Sequence, residues 1–194
     1  MMVFPGDDQL LTQIRGGDIK ALEILYDKYK GQIYRTALAV THDQQTAEDI
    51  LQDAFLRLHA NIDRLDGSVP IAPWLHRVTV NLGYNWHARG RRWVHSLEGV
   101  IENLVSTPHG SPERQAERTE LRDVVQKAII TLSFNQRVVV ILFYMNGFNL
   151  EEIAYILDCP VGTVKSRLHY ARRNLRRRLE REGYWQPEVA YEFS

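Results

Sequence analysis

The chain has 194 residues, 44% hydrophobic and 25% charged, and its 24 Lys/Arg balance its 24 Asp/Glu. That length suits one or two globular domains, and a net charge of zero excludes nucleic-acid binding by overall basicity, so any such binding must rest on local segregation of charge. A lone cysteine, Cys159, excludes an internal disulfide and leaves too few thiolates for a cysteine-based zinc site.

No apolar run approaches the roughly 20 residues needed to span a bilayer. The N-terminal MMVFPGDDQLL has no basic flank before an apolar core, so it does not read as a signal peptide, and the expectation is a cytoplasmic chain. Leu10, Leu11 and Ile14 open a 3.6-residue apolar period. It continues through Ala21, Leu22, Leu25, Tyr26 and Tyr29 to Ile33, Tyr34, Ala37 and Leu38. Ala47, Ile50, Leu51, Ala54, Phe55 and Leu58 lie on one face of a helix predicted over 46–61. Its other face carries Glu48, Asp49, Gln52 and Asp53. Acids there suit the helix dipole, and they also suit a docking surface for a basic partner.

A helix starting near Pro73 holds Trp74, Leu75, Val78 and Leu82, with Trp74 read as a core anchor. Across 71–93, aromatic Trp74, Tyr84, Trp86 and Trp93 interleave with Arg77, Arg89, Arg91, Arg92, Asn81 and Asn85. Aromatic rings that stack on unpaired bases, beside cations for phosphates, are what single-stranded nucleic acid requires. From Ser96 to Arg118 the composition shifts: two prolines, two glycines and three serines mark a linker, with one short helical turn near Val100–Leu104. The expected organisation is all-α, with an N-terminal helical domain over 7–95, a flexible linker over 96–118 and a C-terminal helical domain over 119–183.

Leu132, Val138, Leu142 and Met145 place the β-branched run Val138–Leu142 on a buried helix. From Leu150 an apolar helix meets a break at Asp158-Cys159-Pro160, and a second helix opens at Val161, the pattern of a helix-turn-helix. Pro160–Glu182 holds eight Lys/Arg against two Glu, a local balance of +6. On a helical wheel Val164, Leu168, Ala171 and Leu175 face inward onto Ile153, Ala154 and Leu157. Thr163, Lys165, Ser166, His169 and Tyr170 are the candidate base contacts. The later arginines suit phosphates, which position without specifying.

These blocks, in this order and spacing, resemble the extracytoplasmic-function sigma factors of bacterial RNA polymerase, within the sigma-70 family. The segment 47–61 resembles region 2.2, 72–92 resembles regions 2.3 and 2.4, and 132–179 resembles region 4. The resemblance implies a protein that directs core polymerase to promoters and starts promoter melting. Asp49, Gln52 and Asp53 would face the polymerase clamp helices, and the loop Arg64–Ile71 would capture a flipped base of the −10 element. Arg77, Asn81, Arg89, Arg91 and Arg92 would hold the −10 strand. Thr163, Lys165, Ser166, His169, Tyr170 and Arg173 would read the −35 element. Partners implied are polymerase core (clamp helices and flap), promoter DNA and an anti-sigma factor, which in turn can hold such a protein at the membrane. Ile71 and Asn85 depart from the family's frequent aromatic and Asp, and the loop RLDGSVP lacks an aromatic. No nucleophile–base pair, P-loop or metal-ligand spacing is evident, so no catalytic residue, cofactor or metal is expected. The competing reading is a helix-turn-helix regulator binding duplex DNA alone as a dimer, which has no use for the 46–93 pattern.

Overall fold

The computed structural model describes residues 6–65, 70–88 and 124–184, and every regular element among them is helical. In chain order these are α1 (Asp7–Arg15), α2 (Ile19–Thr41), α3 (Gln44–Ala60), a 3-10 turn (Ile62–Arg64) and α4 (Ile71–Ala88). There follow α5 (124–130), α6 (Phe134–Val140) running into a π-helical turn (Ile141–Met145), α7 (Leu150–Leu157) and α8 (Val161–Arg181). The expected linker over 96–118, its helical turn near Val100–Leu104, and Trp93 lie outside the described residues.

Local chemistry sets the helix starts. Asp18 caps α2 by accepting from the Lys20 and Ala21 amides, and Asp43 caps α3 by accepting from Thr46 at 2.7 Å. Both satisfy donors that the first helical turn leaves without partners. Asn149 and Glu152 form a reciprocal capping box on α7, with bonds of 2.8 and 2.9 Å. Pro73 falls in the first turn of α4, where its missing N–H costs nothing.

The apolar stripes close two cores. In the first, Leu10 and Ile14 of α1, Leu25 and Ile33 of α2, Leu51, Phe55 and Leu58 of α3, and Leu75 of α4 pack together. The second joins Val138–Leu142 to Ile153, Ile156, Val164, Leu168 and Ala171, and it also takes in Ala39 and Val40 of α2 and Val80 of α4. The C-terminal helices therefore dock on α2 and α4, with α4 lying against α7. Where α4 crosses α2 the packing is tight: a Cβ added at Gly83 would lie 2.5 Å from Val40 Cγ1.

Two polar clusters sit inside that seam. Arg137, 1% exposed, lies with its guanidinium 2.6 Å from His42 Nε2. Burial lowers the Arg137 pKa to about 10. Asn146 donates to Thr36 Oγ1 at 3.0 Å and reaches His76 Nε2 at 3.2 Å. None of these pairings is legible in the sequence, because each joins residues 70 or more positions apart.

Candidate nucleic-acid interface

The helix-turn-helix forms as the pattern predicts. Asp158 ends α7 with a left-handed backbone (φ 49°), a conformation that Asp tolerates better than most residues. Val164, Leu168 and Ala171 are buried against α7, where Ile156 proves as deep an anchor as Ile153, both 0% exposed, while Ala154 and Leu157 are half-buried. The opposite face of α8 presents Lys165, Ser166, His169, Tyr170 and Arg173 to solvent, with Thr163 half-buried. Tyr170 is 53% exposed, and its ring meets that of His169 edge-on at 5.6 Å. The Ser166 hydroxyl donates to the Thr163 carbonyl at 2.9 Å, leaving its oxygen as an acceptor for a base edge.

The arginine run divides into two kinds. Arg176 and Arg178 pair with Glu180 and Glu182 four residues on, at 2.7 and 2.6 Å. Arg173 and Arg177 are exposed and make no ion pair among the described residues. Sequence reasoning missed Arg172 as an organised group. Its Nε donates to Tyr144 Oη at 2.7 Å, and its guanidinium lies 5.6 Å from the Phe143 and Tyr144 ring centroids. An aromatic pair 28 residues upstream thus fixes a cation on the edge of the reading helix.

On α3 the periodicity holds in full. Ala47, Ile50, Leu51, Ala54, Phe55 and Leu58 are buried, and Glu48, Asp49, Gln52 and Asp53 are exposed. Leu56, 67% exposed, adds an apolar contact to that acidic surface. A solvent-facing leucine one turn beyond Gln52 and Asp53 was the signal available in the sequence.

On α4, Asn81 and Asn85 are exposed, Trp86 is half-buried, and Trp74 packs against the first core as expected. Arg64 is exposed at the end of the 3-10 turn. Ile71 corrects the expectation of a −10 contact: it is 2% exposed and sits in the first core, so its side chain has no surface to offer a base. Residues 66–69 of the loop, and Arg89, Arg91 and Arg92, lie outside the described residues. Arg77 does not point to open solvent. It donates to the Tyr155 carbonyl at 3.1 Å, lies 5.0 Å over the Tyr155 ring, and approaches Asp158 at 3.3 Å.

Comparison with known proteins agrees with this geometry. The family described as Sigma-70 region 2 matches residues 25–94, and that described as Sigma-70, region 4 matches 122–175. The ECF RNA polymerase sigma factor SigW of Bacillus subtilis is 32% identical over 177 residues, covering 87% of this chain and 94% of the relative. The RNA polymerase sigma-H factor of Pseudomonas aeruginosa is 31% identical over 187 residues, covering 93% and 97%. Among solved structures, the sigma factor RpoE in complex with the anti-sigma factor NepR from Bartonella quintana superposes with a TM-score of 0.64 at 26% identity, covering 84% of this chain and 98% of that one. The chain belongs to the extracytoplasmic-function sigma factors of the sigma-70 family, the factors that direct RNA polymerase to promoters at transcription initiation.

Proposed function

We propose that the two ends of this chain divide promoter recognition between them, with region 2 over 7–95, a linker over 96–118 and region 4 over 119–183. The exposed face of α8 reads the −35 duplex through Thr163, Lys165, Ser166, His169, Tyr170 and Arg173. A helix of this kind enters a major groove about 12 Å wide with its first turns nearest the base edges. The outer face of α3 docks on the polymerase clamp helices through Asp49, Gln52 and Asp53, with Leu56 as the apolar centre. The outer face of α4 holds the −10 strand through Arg77 and Asn81, together with Arg64, Arg89, Arg91 and Arg92. Holding a base outside the stack offsets a melting cost of roughly 0.6–2.2 kcal/mol per base-pair step. The protein acts by binding and catalyses no bond change.

The observation that carries this reading is the pairing, in one chain, of an exposed acidic helix face with an exposed cationic reading helix, each backed by a buried apolar stripe. An anti-sigma factor is the expected antagonist. The Bartonella quintana neighbour is a sigma factor in complex with one. The site of action is the cytoplasm, and among the described residues no helix is long and apolar enough to cross a membrane.

Purified chain added to core polymerase is expected to drive initiation from a cognate promoter. Tight operator binding without polymerase, and no transcription with it, sinks the reading in favour of a stand-alone regulator. Co-purification with the product of a neighbouring gene tests for the anti-sigma partner, and recovery of nothing counts against it.

A further inference from the structure

The seam between regions 2 and 4 engages one residue of the face just assigned to the −10 strand, Arg77, and leaves Asn81 exposed. Arg77 is held by Tyr155 and Asp158. Tyr84 meets Phe134 of α6 edge-on at 5.7 Å, and His87 stacks on the same ring at 5.3 Å and 13°. Three side chains spaced along α4 are thus engaged by region 4.

At the centre of the seam lies a fully buried histidine. His76, 0% exposed, is enclosed by Thr36 of α2 and by Asn146 and Phe148 of region 4. Its Nδ1 is 3.2 Å from Thr36 Oγ1, and its Nε2 is 3.2 Å from the Asn146 amide nitrogen. The same amide nitrogen lies 3.4 Å from Nδ1, so in either neutral tautomer one ring nitrogen can accept from Asn146, and a second proton would set donor against donor. At the seam's edge, His42 faces the Arg137 guanidinium in the same way, as an acceptor at 2.6 Å. The two non-glycine residues with positive φ among those described, His42 and Asp158, both cap helices at this seam, and each meets an arginine from the other side.

We propose that the free chain carries a proton-sensitive latch, in which docking of region 4 withholds Arg77 from the −10 strand while the His76 ring stays neutral, and protonation of that ring releases it. The proposal rests on the −10 assignment of α4. The charges around the latch agree with it. Burial lowers the His76 pKa to about 3, with no charged group contributing. Burial and then Arg137 lower that of His42 to about 3. Opening returns an exposed histidine to about 6.5. The docked state therefore keeps its full advantage above about pH 6.5 and loses it as pH falls from there toward about 3, because only the open state takes up protons. Each histidine raises the opening constant about tenfold per pH unit within that window.

The test is small-angle scattering of the full chain from about pH 7.5 to about pH 5, with circular dichroism as the control for folding and anisotropy of a fluorescent single-stranded −10 oligonucleotide as a second readout. The expected result is a radius of gyration that grows on acidification at constant helical signal, with strand binding rising alongside. His76→Gln removes one proton from the transition, so its opening constant climbs about tenfold less per pH unit than that of the natural chain. Asn146→Asp sets a carboxylate against the ring, stabilises its charged form in the docked state, and holds the chain closed further into acid. A radius that is flat with pH, or an opening equally steep in His76→Gln, overturns the latch. An opening with no gain in strand binding supports the latch and overturns the −10 assignment of α4.

Discussion

The outer faces of α3 and α4 are built on the same plan and put to opposite use. Both helices bury an apolar stripe in the first core and turn polar groups outward. On α3 those groups stay in solvent: Asp49, Gln52 and Asp53 are exposed, as is Leu56 at 67%. On α4, Arg77, Tyr84 and His87 are engaged by Tyr155, Asp158 and Phe134. The difference implies an order of events. On the proposed assignments, a chain in this arrangement would present its polymerase-docking face at once and Arg77 of its strand-holding face only after region 4 moves away.

The sharpest way to break the comparison is to reverse a charge on the face left open. Asp53→Arg is expected to weaken core polymerase binding by roughly a hundredfold, since like charges brought together at an interface cost several kcal/mol. The helical signal and the melting temperature should be unchanged, because Asp53 is exposed and forms no ion pair among the described residues. Titration of labelled chain with core enzyme measures it, and binding within twofold of the natural chain removes α3 as the docking face.

Substitutions on α8 probe the reading end in the same holoenzyme. Tyr170→Ala and His169→Ala should each lower discrimination between a cognate and a mismatched −35 element by about 1–3 kcal/mol, the range for loss of a direct base contact. Arg173→Ala should weaken all sequences evenly and lower the salt slope of binding by about 0.9, the signature of one lost phosphate contact. If Arg173→Ala changed sequence preference and Tyr170→Ala did not, the assignment of specificity to the first turns of α8 would be reversed.

Much of this was readable in advance, wherever the information is local. The six buried positions of α3 repeat at helical spacing, so the acidic face follows from the apolar one. The helix-turn-helix likewise follows from Ile153, the break at 158–160 and Val164, Leu168 and Ala171. What escaped was set by contacts distant in sequence. Ile71 looked like a loop residue near a base-capturing segment, but it begins α4 and turns into a core supplied by α1, α2 and α3. Only the fold brings His42 to Arg137 across 95 residues. Arg77 was identified by its type as a strand contact. Its engagement by Tyr155, 78 residues on, depends on a docking that no periodicity encodes.

The smallest effect falls on Asp158, where the two regions touch at the turn of the helix-turn-helix. A left-handed backbone costs a residue with a Cβ roughly 1–2 kcal/mol. Glycine removes that strain but adds conformational entropy to the unfolded chain, about 0.5–1 kcal/mol in the other direction. Asp158→Gly should therefore leave the melting temperature nearly unchanged. It also deletes the partner that Arg77 meets at 3.3 Å. The Asp158 side chain is 83% exposed, so the pair is screened by solvent and contributes at most about 1 kcal/mol to docking. The expected outcome is an opening constant raised by no more than about fivefold, seen as a small rise in radius of gyration at neutral pH. The Arg77 bond to the Tyr155 carbonyl persists in this variant, because it uses backbone that glycine does not alter. A full opening of the chain by Asp158→Gly would show that the ion pair outweighs the buried apolar seam of Val40, Val80 and Ile153, and would place the latch at the surface instead of around His76.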